Sequence, residues 1–182
     1  MMIEDYTLEK LIFKGTFGNV YLASKKGSQE KYVIKKKDLS EQENFREYLD
    51  NEIAIMKDIN HPNVIKLYDA KIDSNFIYII TEYCNGGNLK QFLEKYLEVN
   101  HKALSEEIVQ YLMRQIIDAL RYLRNKKIMH RYINLNHLLI NYEDDYDKEN
   151  NNILKGRIKI NDFLIAKLLK KGDSEKTTEE IL

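Results

Sequence analysis

At Glu82-Tyr83-Cys84-Asn85-Gly86-Gly87 the hydrophobic periodicity of the chain changes, and this change constrains the fold more than any other feature. Before it, apolar residues fall in short β-branched and aromatic runs. Val20-Tyr21-Leu22 and Tyr32-Val33-Ile34, separated by the turn-forming Lys26-Gly27-Ser28, predict a hairpin. "NVIKLYDAKID" and "NFIYIITEY", joined by Asp73-Ser74-Asn75, predict two more strands. Between these pairs Phe45, Leu49, Ile53, Met56 and Ile59 recur at spacings of three and four. This predicts an amphipathic helix from about 41 to 59, ended before Pro62. After Gly87 the helical period takes over, with one stripe of Leu89, Phe92, Leu93, Tyr96 and Leu97. A longer stripe follows in Ile108, Leu112, Ile116, Leu120 and Leu123, with Ser105 as a cap and Glu106 and Glu107 at the positive helix end. A strand-rich half followed by a helical half is an α+β chain, without internal repeats.

Composition removes several function classes. Among 182 residues, 29 basic side chains balance 29 acidic ones, so no global field attracts nucleic acid or an anionic membrane. The single Cys84 allows no intrachain disulfide and fits a reducing compartment. No apolar run approaches the roughly 18 residues that span a bilayer, and "MMIEDYTLEK" lacks the apolar core of a signal peptide. A cytoplasmic protein is expected. The Asn-rich, charged "NYEDDYDKENNN", 141 to 152, is expected to be an exposed loop.

Three features point to phosphate chemistry. "FKGTFGNV", Phe13 to Val20, lies on the bend between the first strands, where Gly15 and Gly18 let backbone N–H groups approach a polyphosphate. "YVIK" follows at the spacing of the next strand and brings the Lys35 ammonium within reach of phosphate oxygens. Glu52, on the following helix, supplies a carboxylate to fix that ammonium in place. Read singly, these are a turn, a lysine in the run Lys35-Lys36-Lys37 and a surface acid. Read together, they form a phosphate-binding set.

With the hinge-like "TEYCNGGNL", His130-Arg131 and Asp162-Phe163 in "IKINDFLIAK", the order of motifs resembles the eukaryotic protein kinase family from Tyr6 to about Lys171. The phrases "EYCNGGNL" and "GRIKI" look most like its serine/threonine branch, in ULK-type or calmodulin-dependent members. The resemblance implies a bilobal fold, with an antiparallel sheet and one helix over residues 1–84 and a partial helical lobe over 85–182. It implies ATP and magnesium as cofactors. Adenine would lie between Val20, Val33 and Leu139, near Ile12, with its edge at the backbone of Glu82 and Cys84 and with Thr81 as gatekeeper. Phosphates would meet the turn from Phe13 to Gly18 and Lys35, and Asp162 would hold a metal. Met56, Leu67, His130 and Phe163 match the apolar spine that links the lobes.

Four positions depart from the family pattern. Tyr132 stands where a carboxylate orients the substrate hydroxyl, and phenols ordinarily titrate near pH 10, too weakly acidic to serve in its place. Asn134 replaces a phosphate-neutralising Lys. His137 replaces a metal-binding Asn, and imidazole suits magnesium poorly. Leu164 follows Asp162-Phe163 where the family has Gly, and is expected to hinder loop switching. Phe13, at the first glycine of the loop, crowds the phosphate roof. The chain ends within what the resemblance implies is the activation segment, before an "APE" motif. The helix stripe over 105–124 is therefore expected to be exposed, and Thr177 and Thr178 are candidate phosphorylation sites with Arg131 as partner.

Three readings follow. The first is a catalytically impaired kinase-like module that binds ATP, more weakly than an intact kinase, and acts through nucleotide or through another kinase or regulatory protein. The others are an active serine/threonine kinase with an atypical loop and a truncated, non-functional fragment.

Overall fold

The computed structural model describes residues 2–3, 5–15, 18–39, 45–73 and 75–170. Six strands form one antiparallel sheet: β1 (Met2–Ile3), β2 (Tyr6–Gly15), β3 (Gly18–Lys25), β4 (Lys31–Asp38), β5 (Leu67–Ile72) and β6 (Phe76–Glu82). Their order is β1-β2-β3-β4-β6-β5, with β1 a two-residue addition at the edge of five longer strands. The predicted hairpin is β3–β4, in which Val20 pairs with Lys35 and Leu22 with Val33. The uninterrupted apolar run of β6 is explained by burial on both faces. Tyr78 and Ile80 pack with Tyr6, Ala23, Tyr32 and Ile34 on one side, and Ile77 and Ile79 with Phe45, Leu49 and Ile53 on the other.

Those last three residues belong to helix α1 (Phe45–Lys57), whose i, i+4, i+8 spacing turns one stripe onto the sheet. The predicted start of this helix, 41–44, lies outside the described residues. So do Thr177 and Thr178.

The second lobe holds α2 (Leu89–Asn100) and α3 (Glu106–Asn125). Asn88 and Gln91 cap α2 reciprocally, each side chain accepting the other's backbone N–H, and the Ser105 hydroxyl accepts from the N–H of Ile108 to cap α3. Short strands complete the lobe: β7 (Ile128–Met129), β8 (Leu138–Asn141), β9 (Arg157–Ile160) and β10 (Lys167–Leu168). β8 pairs with β9, and β7 with β10, both antiparallel.

Asn63 joins the lobes. Its side-chain amide donates to the carbonyl of Ile158 and to Gln115 Oε1 on α3, both at 2.9 Å, while its carbonyl accepts from the N–H of Ile160. The main core lies beneath this joint and runs from Met56 and Ile65 through Leu123, Ile140 and Ile160 to Phe163.

Two expectations are corrected. The segment 141–152 is not simply a loop: Asp145–Glu149 forms a short helix, α4, whose N-cap Asp144 accepts from the N–H of Tyr146. Tyr142, within the same segment, is buried against Gly86 and Gly156, where an added Cβ would come within 2.7 Å and 3.1 Å of its ring. The longer apolar stripe is also largely covered, because Leu112, Ile116 and Leu123 are buried in the core. The exposed apolar row of α3 is a second one, Val109, Met113 and Ile117, which Leu120 extends.

Candidate functional site

A cleft of about 1210 Å³ opens between the lobes, large enough for a nucleotide-sized ligand. Its roof is the β2–β3 hairpin, from which Ile12, Phe13, Gly15, Gly18 and Val20 face the space. Gly18 has φ +123°, and a Cβ there would lie 2.1 Å from the carbonyl oxygen of Lys36, so no other residue fits. At Gly15 a Cβ would come within 2.7 Å of the Phe13 ring. Phe13 therefore lies over this glycine and remains 62% exposed, a contact that accommodates the large residue in the roof.

The back wall comes from β4. Period-two alternation points Val33, Lys35 and Lys37 into the cleft, whereas Lys36 lies on the other face with its ammonium 3.7 Å from the Phe76 ring centre. Lys35 Nζ is 3.5 Å from Glu52 Oε1 on α1 and 3.3 Å from Asn161 Oδ1, to which it donates. Glu52 is buried behind Lys35 and is the one predicted cofactor-binding residue that does not line the cleft. Burial pulls the Lys37 ammonium below its ordinary value, and the Lys35 charge adds to this. Thr81, Glu82 and Cys84 form the hinge wall. Burial, helped by the Glu82 carboxylate, pushes the Cys84 thiol up to about 12, so it is an apolar wall rather than a nucleophile.

The floor is built by β8 and β9. Alternation along β8 buries Leu138 and Ile140 and leaves Leu139 facing the cleft. β9 leads directly into Asn161 and Asp162, and Asp162 has φ +69°, a left-handed conformation that Asp tolerates. Burial would raise its carboxyl, but the Lys35 ammonium and His137 outweigh burial and hold it below the ordinary carboxylate range. Asp162 Oδ2 is 3.3 Å from His137 Nε2.

His130 locks the loop beneath. It is buried, its ring meets the Phe163 ring edge-on at 4.7 Å, and its Nδ1 accepts from the Tyr132 N–H at 3.2 Å. Nε2 must then donate to the carbonyl of Asn161 at 3.1 Å, a neutral imidazole consistent with burial depressing its basicity.

The four departing residues have different fates. Tyr132 lines the cleft, is 53% exposed and meets the His137 ring edge-on at 4.7 Å. His137 lines it as well. Leu164 reaches from the cleft into the apolar cluster of α1. Asn134 does not line the cleft: its Oδ1 accepts from the Asn136 N–H at 2.9 Å, so the side chain braces the loop and does not reach toward phosphate. Arg131 donates from Nε to the carbonyl of Ile165. Sequence reasoning missed Asn161 and Lys37. The period-two spacing from Lys35 could have revealed Lys37.

A five-stranded sheet with one packed helix over a partial helical lobe, enclosing a Lys–Glu ion pair and an Asp at a strand end, defines the protein kinase class of fold. The chain matches the family described as protein kinase domain over residues 6–181, and it belongs to that family. It is similar to the serine/threonine-protein kinase atg1 of Dictyostelium discoideum, 34% identical over 92% of this chain and 24% of the relative. It is 32% identical to the serine/threonine-protein kinase ULK3 of Xenopus laevis, over 78% of this chain and 30% of that protein. With Aurora kinase B-A of Xenopus laevis the identity is 33%, over 88% of this chain and 40% of the relative. The domain is thus of the serine/threonine type by homology, and the chain covers well under half the length of these relatives. Kinase domains in general use ATP and magnesium. Among the described residues no helix is long and apolar enough to cross a membrane.

Proposed function

We propose that this domain binds ATP in the cleft and transfers its phosphate slowly or not at all, acting through the bound nucleotide or through contact with another kinase or regulatory protein. The observation that carries the reading is the contrast within one cleft. Lys35, braced by Glu52 at 3.5 Å, and Asp162 face the phosphate region, while the Tyr132 ring replaces the carboxylate that would orient a hydroxyl. Losing a general base removes roughly 10²–10⁴ in rate.

In this reading Val20, Val33 and Leu139 sandwich the base, the hinge backbone at Glu82 and Cys84 bonds its edge, and Thr81 limits the depth of the pocket. Lys35 holds phosphate oxygens, and Gly15 and Gly18 keep the hairpin backbone close to them. Asp162 is the residue suited to hold a cation, whose role when bound is to neutralise phosphate charge. The lobes divide near residue 84, and the protein acts in the cytoplasm.

Titration with a fluorescent ATP analogue tests the binding half. Saturable binding that ATP displaces and that Lys35→Met weakens at least tenfold is expected. An absence of saturable binding to the native chain would contradict the reading.

A further inference from the structure

Lys14, Lys35 and Lys37 border the cleft, and their ammonium groups are held very differently. Lys14 is exposed on the hairpin. Lys35 is braced by Glu52 at 3.5 Å and by Asn161 at 3.3 Å. Lys37 is half-buried, and among the described residues no acceptor lies within hydrogen-bond or ion-pair distance of its ammonium. Glu52 and Asp162 attract this charge from beyond bonding distance, against burial and the Lys35 charge. A cation taken out of water is costly unless it is paired. The open side from which a counter-ion can reach Lys37 is the cleft.

The position of Lys37 selects the kind of anion. Val33, Lys35 and Lys37 face the cleft in that order along β4, so the two lysine side chains leave the same face about 6.5–7 Å apart. Such a separation suits successive groups of a polyphosphate and exceeds the span of a single phosphate. Val20 pairs with Lys35, which sets the base end of the cleft behind that lysine. Gly18 marks the other end: an added Cβ there would come within 3.0 Å of Lys37 Cα, so the hairpin backbone rests on Lys37 and leaves its side chain beneath the turn. Lys35 is thus placed for the inner phosphates and Lys37 for the outermost.

The cleft floor offers no substitute. Among the described residues no lysine or arginine of the floor borders the cleft, and Asn134, where the resemblance implies a lysine, turns its Oδ1 to the Asn136 N–H at 2.9 Å. We propose that Lys37 binds the terminal phosphate of a nucleoside triphosphate and so makes this cleft prefer triphosphate to diphosphate. The inference rests on nucleotide binding in this cleft, and its test separates the two.

Competition against the fluorescent ATP analogue in Mg²⁺ reads the preference. A charge-assisted bond to phosphate is worth about tenfold or more in affinity, so ATP is expected to displace the analogue at a concentration about tenfold below that needed for ADP. Lys37→Gln should erase most of that difference by weakening ATP while leaving ADP nearly unchanged, and Lys37→Arg should retain it. Lys36→Gln, on the other face of the same strand, should change neither. Equal displacement of the analogue from the native chain by both nucleotides overturns the proposal. So does equal weakening of both by Lys37→Gln, the result expected if this lysine only balances Glu52 and Asp162. A further measurement needs no variant: lysine acetylation of the native chain, read residue by residue by mass spectrometry. Acetylation at Lys37 should slow in inorganic tripolyphosphate and much less in pyrophosphate, and equal or absent protection overturns the assignment. Failure of the analogue to bind the native chain defeats the proposed function instead, while protection by tripolyphosphate still decides the role of Lys37.

Discussion

Glu52 is buried, and its Oε1 has no hydrogen-bond partner among the described residues; the Lys35 ammonium, 3.5 Å away, is what balances its charge. Removing one member of such a pair strands the other in a low-dielectric site. Lys35→Met is therefore expected to lower stability by about 3–5 kcal/mol, read as a shift in the urea midpoint. Glu52→Gln, which leaves Lys35 with Asn161, should cost less. Stability should also depend on pH. Burial lowers the basicity of both His130 and His61 in the folded chain, so the unfolded chain takes up protons first as pH falls below the ordinary histidine value of about 6.5. Stability contributed by the neutral imidazoles is complete above that value and declines as pH drops through it toward the depressed folded values. Asp162 and Asp73, whose carboxyls are held low, lose their contribution in a lower window, below about pH 4. Urea midpoints should therefore fall between pH 7.5 and pH 5.5, and His130→Gln should shrink that difference.

At the scale of elements, Leu164 couples the segment after Asp162 to α1, because its side chain packs into the cluster of Phe45, Leu49 and Ile53. The Asn51 side chain adds a bond from α1 to the carbonyl of Ala166 at 2.8 Å. Leu164→Gly is expected to cost about 1–2 kcal/mol, low for a large-to-small change because the residue is half-buried. It should also speed hydrogen exchange in α1 more than in α3; equal acceleration in both helices would contradict the coupling. These elements differ in how openly the sequence announces them. α1 and β6 are legible because a single pattern, period 3.6 or an unbroken apolar run, maps directly onto what each one buries. α4 is not, since four charged residues and the exposed Tyr146 bury no apolar face and the helix depends on the Asp144 cap. The β7–β10 pair is equally hidden: two residues on each side carry no period, and their pairing depends on where the rest of the lobe places them. The amphipathic period of α3 was plain, but choosing its buried face requires knowing what packs on it.

For the whole molecule, the cleft exists only while the lobes keep their register, and the side chain of Asn63, in the segment between α1 and β5, ties that segment to β9 and α3. Asn63→Ala leaves the carbonyl of Ile158 and Gln115 Oε1 without this donor and should cost about 1–3 kcal/mol. It should also weaken binding of the fluorescent ATP analogue, although it touches no part of the cleft. Much of the cleft was readable because its residues sit at fixed places on regular strands, such as Val33 and Lys35 on β4 or Leu139 on β8. Asn134 was not, because its turn toward the Asn136 N–H depends on the folded loop. The His137–Asp162 contact joins two segments 25 positions apart and is visible only once β8 and β9 are paired. The most direct test of the account is a single turnover measurement: native protein, saturating ATP labelled in the terminal phosphate, Mg²⁺ or Mn²⁺, and a mixture of acceptor proteins. The account predicts bound label recoverable as intact ATP, with transfer at least about 10²-fold below the 1–100 s⁻¹ of ordinary kinases. Labelled phosphate appearing covalently on this chain or on an acceptor at an ordinary kinase rate would contradict it.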